Sequence, residues 1–263
     1  MNTQNSSLAF PFGENWQSFL TSISDDAIDT ARKDIENWLG GTSVVARTVI
    51  DVGCGSGIHS LCFHKLGARR VVSIDVDRNS VEATRSLHAS AGHPWNWEVH
   101  EGSILDERFI GGLGTFDTVY SWGVLHHTGR MWKAIAAAAD LATPGGDLWV
   151  ALYVKGPRYA EDLALKQRYN GASPLVKKMM IGQRVAHRMV RLARQGRNPL
   201  RWNARKERGM DTYHDIVDWV GGLPYEVASR QETVDFLQKR GFVLRKIEEH
   251  PERCNNIYLF SRT

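Results

Sequence analysis

The chain is short of cysteine. Its three, Cys54, Cys62 and Cys254, are odd in number and lack metal-ligand spacing, so they form neither a disulfide framework nor a zinc pattern. They read as reduced thiols, as expected of a cytoplasmic protein. Long apolar runs are missing too. No segment approaches the ~20 apolar residues that span a bilayer, and the opening MNTQNSSLAF lacks the basic start and apolar core of a secretory signal. There is no internal repeat and no low-complexity tract. What remains is an ordinary globular composition, 42% apolar and 24% charged over 263 residues. That length fits one large domain, or one domain with a sizeable insertion.

Charge is present but uneven. Between Lys155 and Arg208 there are 15 Lys or Arg against three acids, a local excess of twelve. The whole chain carries only +4, so the remainder stands at −8. An acidic body bears a basic segment.

Residues 21–39 repeat Ala27, Ile28, Ala31, Ile35, Trp38 and Leu39 at helical steps. Ser24 can cap this helix and Gly40 can end it. Short apolar runs then alternate with helical stretches. The runs are 48–52, 70–74, 96–100, 116–121 and 147–153, with helices at 80–91 and 129–141 and a TPGG turn at 143–146 before the fifth run. That alternation predicts a doubly wound, mostly parallel α/β sheet. After Tyr153 the strand signal stops. Ser173-Pro174 opens a predicted helix running to about Gln195, with Lys177, Arg184, Arg188 and Arg191 on one face and Met179, Val185, Met189 and Leu192 on a buried one. The α/β pattern resumes with a helix at 233–241 and strands at 242–247 and 256–261, an antiparallel close to a seven-stranded sheet. The expected division is an N-terminal helical cap (1–44), a core (45–153), a basic helical insertion or lid (154–230) and a C-terminal completion of the sheet (231–263).

The stretch VIDVGCGSGIHSL holds Gly53, Gly55 and Gly57 after the first strand. Their spacing misses the dinucleotide pattern, because the third glycine comes one residue early. No lysine follows until Lys65, so the phosphate-cradling loop of nucleotide triphosphatases does not fit. Asp51, expected to point toward the crevice beyond the strand, would repel a pyrophosphate and suit an ammonium group. Asp75 ends the second strand, where a carboxylate can accept both hydroxyls of a ribose. A cationic, ribose-bearing ligand with no phosphate to neutralise describes S-adenosylmethionine.

DVGCGSG at 51–57, SIDVD at 73–77, EGSILD at 101–106 and FDTVYSWGVLHHTG at 116–129 resemble the class I S-adenosylmethionine-dependent methyltransferases, with a Rossmann-like fold. YSWGVLHHTG, DWVGGLPYEVAS at 218–229 and Cys254-Asn255-Asn256 are more specifically similar to the ubiquinone-type small-molecule methyltransferases. That likeness departs at Asn256 and at the missing glycines before Cys254. The resemblance implies S-adenosylmethionine as cofactor, with S-adenosylhomocysteine as product. It implies a glycine loop (Asp51, Gly53, Cys54, Gly55, Gly57) at the methionine end and ribose and adenine contacts from Asp75, Val76, Gly102, Ser103 and Ile104. Ser121, Trp122 and Gly123 would lie at the sulfonium, and Arg32 within reach of the methionine carboxylate.

Methyl transfer from a sulfonium is an in-line displacement governed by alignment. A base is needed only where the nucleophile arrives protonated. His126 and His127 are the candidate catalytic residues, because histidine titrates near neutrality. Trp122, His126, Arg208, Tyr213 and Tyr225 are the candidate acceptor-binding residues, with packing of 216–220 onto the sheet the simpler role for part of that segment. The basic insertion has three readings: a solvated lid, contact with an anionic membrane surface, or an RNA footprint. A small-molecule acceptor methylated on O or N is the leading expectation. RNA methylation and a cofactor-binding module without catalysis are the alternatives, and oligomeric state is open.

Overall fold

The computed structural model describes residues 25–40, 43–203, 212–249 and 255–263. Ser24, Arg208 and Cys254 fall outside them. The elements run α1 (Asp25–Leu39), β1 (Thr48–Val52), α2 (Ile58–Lys65), β2 (Arg70–Asp75), α3 (Arg78–Ser90), β3 (Trp97–Glu101), α4 (Glu107–Gly111) and β4 (Phe116–Trp122). They continue with α5 (Met131–Asp140), β5 (Ala142–Tyr153), α6 (Tyr159–Asn170), α7 (Pro174–Arg194), α8 (Thr212–Gly221), α9 (Arg230–Gln238), β6 (Phe242–Glu249) and β7 (Asn255–Arg262). The seven strands form one sheet in the order β3-β2-β1-β4-β5-β7-β6. The first five are parallel, and β7 is antiparallel to both β5 and β6. TPGG is not a turn ahead of β5 but lies within that strand, which begins at Ala142; a register shift opposite 116–118 and a left-handed Gly145 absorb it.

Alternate residues of each strand point to opposite faces, and both faces are covered. Ile50, Val52, Val72, Ile74, Val119, Leu148 and Val150 meet α5 and α9 through Ala134, Ile135, Ala138 and Leu237. Val49, Val71, Tyr120, Trp149 and Ala151 meet α1 and α2 through Ala31, Ile35, Trp38, Leu61 and Phe63. Both layers therefore exclude water from runs that read as continuously apolar.

Polar groups inside this packing are tied. Asp117 accepts from the Thr48 N–H (2.8 Å) and hydroxyl (2.9 Å), pinning the start of β1 to β4. A longer chain of bonds crosses three strands. The Trp97 indole donates to Ser73 (2.7 Å), Ser73 to Ser60 (2.7 Å), and Ser60 to a carboxylate oxygen of Asp51 (2.6 Å). An indole N–H can only donate, so every proton in the chain points toward the carboxylate.

Helices α6, α7 and α8 pack on one another around Tyr169, Ile181 and Val220. Ile216, Val217 and Trp219 join this cluster rather than the sheet. The face of α7 also differs from expectation. Leu192 is buried, but Met179 is exposed, while Lys177, Arg184 and Arg188 turn inward. Lys177 lies over the Tyr169 ring (5.5 Å), Arg184 over Trp219 (5.2 Å), and the Arg188 guanidinium donates to the Trp202 carbonyl (2.8 Å). Long basic side chains bury their stems against rings and keep their charge satisfied, an option that a hydrophobicity pattern does not register.

Ser73→Ala should destabilise the fold by about 2 kcal/mol, because it strands a buried indole N–H and leaves Ser60 with no donor. Chemical denaturation checks this, and a loss under half that size would mean that water replaces the link.

Candidate active site

The sheet order reverses between β1 and β4, which leave the centre in opposite directions. Such a switch point opens a crevice beyond the carboxyl ends of the two strands. Both strands end there in a left-handed glycine, Gly53 (φ 78°) after β1 and Gly123 (φ 75°) after β4. Gly123 has nothing within 4 Å of where a Cβ would stand. Gly53 is different: a Cβ there would meet the Val124 side chain at 2.3 Å, and one at Gly57 would meet Thr84 at 2.8 Å. Backbone conformation and protein neighbours demand these two glycines, in addition to anything a ligand requires.

Asp75 stands partly exposed at the end of β2. One oxygen accepts the Gly55 N–H (3.0 Å) and the other the Asp77 N–H (2.9 Å). Burial raises its pKa to about 6, with the two N–H donors opposing. Val76 beside it is 71% exposed, an apolar surface at the same rim. The Gly102 N–H donates to the Asp75 carbonyl (2.9 Å), a Cβ at Gly102 would strike the Phe109 ring, and Ile104 is buried nearby in the core. The Ser103 hydroxyl accepts the Leu105 N–H (3.1 Å). These positions lie at the carboxyl ends of two neighbouring strands, β2 and β3.

Other candidate residues have protein partners of their own. Asp51 lies beneath the turn, 2% exposed, with one oxygen on Ser60. It does not project into the crevice, because the Ser60 hydroxyl on α2 draws it toward the helix. Arg32 pairs with Glu36 (2.7 Å) and Asp29 (3.6 Å) on its own helix. The Ser121 hydroxyl donates to the Val52 carbonyl (2.9 Å), joining β4 to β1. Trp122 is half-buried against the α1–α2 side of the core. Cys54 is buried under Thr84, with burial holding its thiol well above the usual range, and burial pushes Cys62 to about 12. Neither is a nucleophile.

His126 and His127 occupy the short turn after β4. The Tyr153 N–H donates to His126 Nδ1 (3.3 Å), so in the neutral ring the proton sits on Nε2. His127 Nδ1 lies 2.6 Å from the Pro224 carbonyl, which only accepts, so that nitrogen carries the proton. Burial holds His126 well below the usual range and His127 at about 3, with the Pro224 bond opposing. Burial thus works against charging either imidazole, unlike the expectation of rings that titrate near neutrality.

The candidate acceptor residues of the insertion lie around the end of β5. Residues 221–228 cross the end of β5, with the Glu226 N–H on the His126 carbonyl (3.1 Å) and the Ala228 N–H on the Tyr153 carbonyl (3.0 Å). Tyr225 is buried, 5.3 Å from the Tyr153 ring and stacked on Tyr159 at 5.4 Å. Tyr213 is 42% exposed on α8, away from this cluster, and Arg208 lies outside the described residues. Sequence reasoning missed Lys166. It is fully buried on α6, donates to the Trp219 carbonyl, and lies over the rings of Tyr225 (4.7 Å), Trp219 (4.7 Å) and Tyr153 (5.4 Å). Its signal was the i, i+3, i+4 run Lys166, Tyr169, Asn170 on one helical face, read as part of a charged stretch.

Residues 49–146 match a family model described as a methyltransferase domain. Over that span the chain is similar to the class I S-adenosylmethionine-dependent methyltransferases. Over 48 residues it is 50% identical to the ribosomal protein L11 methyltransferase of Alteromonas mediterranea, covering 18% of this chain and 16% of that protein. Over 105 residues it is 33% identical to the tRNA U34 carboxymethyltransferase of Methylococcus capsulatus, covering 40% of this chain and 32% of that one. The chain thus spans at most about a third of these two relatives' length. The structure of magnesium protoporphyrin IX methyltransferase from Synechocystis PCC 6803 superposes with a TM-score of 0.57 at 15% identity, covering 98% of this chain and 96% of that one. At that identity the likeness is one of fold. The matched span holds the glycine turn and Asp75; the wall built by residues 153–226 lies wholly beyond it.

Neither His126 nor His127 should change protonation between pH 8 and pH 5. Histidine ring carbon shifts followed by NMR check this, and a midpoint inside that window for either ring contradicts the buried neutral assignment.

Proposed function

We propose that the protein transfers a methyl group from S-adenosylmethionine to an oxygen or nitrogen of a small molecule. The observation that carries this reading is the switch-point crevice. It has an anchored carboxylate, Asp75, on one side and open space at Gly123 on the other. The residues present suit the cofactor. Asp75 offers an acceptor for ribose hydroxyls, Val76 and Ile104 offer apolar surface for a base, and no lysine or arginine of the turn is set to neutralise phosphate. Asp51, buried as an acceptor beneath the turn, contributes negative potential toward a cationic methionine end rather than a direct pair.

When bound, the cofactor supplies an activated methyl group on a sulfonium. This chain's residues have the remaining work of binding, alignment and exclusion of water. Tyr159 and Tyr153, both partly exposed and backed by the buried Tyr225, offer ring surface for an acceptor. His126 and His127, neutral and hydrogen-bonded to Tyr153 and Pro224, hold the wall of residues 221–228 in place. On this reading they are positioning residues. A nucleophile arriving as a neutral amine needs no base, because its proton is lost to water after transfer.

A second reading is RNA methylation. It is favoured by the likeness to a tRNA U34 carboxymethyltransferase and by the basic insertion. Against it, the middle of the outward α7 face holds aliphatic side chains, not cations or stacking rings. Methyl-labelled S-adenosylmethionine, offered with small-molecule extract and with bulk RNA, separates the two. Label in the small-molecule fraction supports the first reading, and label confined to RNA replaces it with the second.

Two binding measurements test the cofactor seat. Hydroxyl recognition needs Asp75 as the anion, and its pKa of about 6 lies above the ordinary carboxylate value. Affinity for S-adenosylhomocysteine should therefore be full at pH 8 and fall as pH drops through 6, by about tenfold per unit below it. Asp75→Asn should remove that dependence and weaken binding at pH 8 by about tenfold. Isothermal titration reads both, and an unchanged affinity would remove Asp75 from the site. Asp51→Asn should weaken S-adenosylhomocysteine about fivefold while leaving methylthioadenosine, which lacks the amino-acid end, within about twofold. Equal losses for both ligands would mean that Asp51 acts only on the fold.

A further inference from the structure

Helix α7 carries an apolar line on its outer side. Leu175, Met179, Gly182, Ala186, Val190 and Ala193 follow one another at steps of three or four residues, and all six are exposed. Leu175 is 69% exposed, Met179 65% and Val190 50%. Leu200, on the short 3-10 turn Pro199–Arg201 that packs beside the helix, is 79% exposed. Among the described residues nine large hydrophobics are exposed, and four of them lie between 175 and 200. The other five are scattered. Large apolar surface concentrated on one face marks an interaction site rather than chance exposure.

Cations border the line. From Pro174 to Asn203 there are eight Lys or Arg and no Asp or Glu. Lys177, Arg184 and Arg188 are committed inward, as described above. Lys178 lies on one side of the apolar line and Arg191 and Arg194 on the other, with Arg197 and Arg201 exposed past the helix end. A helix of 21 residues, about 30 Å long, thus presents aliphatic side chains along its crest and positive charge along both margins.

We propose that this face docks onto the surface of a lipid bilayer bearing anionic headgroups. The geometry is that of a helix lying in the interface plane. The crest enters the boundary between headgroups and acyl chains, and the flanking cations meet phosphate. Charge complementarity selects the occupant, because an acid-free basic rim repels any cationic partner. The aliphatic crest separates it from a nucleic-acid footprint, which sets cations and stacking rings at the centre of the contact. Around α7 the rings are turned in: Tyr169 is buried, and Tyr159 and Trp202 are only half exposed, while the exposed Tyr213 lies on α8. The inference stands on α7 and the 199–201 turn alone, and is independent of which acceptor is methylated.

Co-sedimentation of the full chain with sucrose-loaded vesicles tests it. The wild type should bind vesicles of mixed phosphatidylcholine and phosphatidylglycerol, bind phosphatidylcholine alone poorly, and lose binding as salt rises. Leu175→Ser with Met179→Ser and Val190→Ser should weaken binding to the mixed vesicles about tenfold. Lys178→Glu with Arg194→Glu should do the same, and both variants should keep the wild-type melting temperature, since every substituted side chain is exposed. The proposal is overturned if the wild type ignores anionic vesicles. It is equally overturned if the serine variant binds them as well as the wild type, or if single-stranded RNA binds and vesicles do not compete.

Discussion

The reversal of strand order between β1 and β4 is the constraint on which the site depends. Two neighbouring parallel strands send their chains to opposite sides of the sheet, so no connection covers the gap at their carboxyl ends. Both must turn sharply there, and the left-handed conformations of Gly53 and Gly123 are how they do so. Packing tightens the demand, since Val124 lies where any side chain on Gly53 would go. The crevice is thus a by-product of topology, kept open by glycine and edged by the carboxylate of the adjacent strand.

Electrostatics in the interior favours neutral imidazoles and satisfied charges. Two histidines side by side in a dry site would repel if charged, and each instead takes the tautomer its backbone partner dictates. Lys166 solves the opposite problem. It keeps a donor on a carbonyl and lies over three rings, with the Asp162 carboxylate of its own helix also acting on it. A buried lysine removed from such a cage would leave its carbonyl partner and three ring faces without a counterpart, which ties α6 to α8 and to the end of β5.

The sheet was legible because most strands are short apolar runs bounded by glycine or a capping acid, with Asp75 where β2 ends. Boundaries shifted where backbone pairing extends past the apolar run, by one residue at Asp75 and Glu101 and by five at the start of β5. The direction of a side chain was not legible. Asp51 reads as facing a ligand, but a serine nine positions later pulls it under the turn. Met179 reads as core and Arg184 as surface, yet a tryptophan on a distant helix reverses them. Lys166 was passed over because its partners come from three segments between 153 and 225, a juxtaposition no local window contains.

The tie through Lys166 divides the molecule into parts of unequal independence. The rim that would seat the donor is assembled from turns between adjacent strands, each specified by its immediate neighbours in the chain. The opposite wall is assembled from β5, α6 and the 221–228 crossing, which meet at one cation. Altering the wall changes what stands opposite Gly123 without touching a hydrogen bond of Asp75. The fold therefore joins a rim specified locally along the chain to a wall whose segments converge on one buried side chain, Lys166.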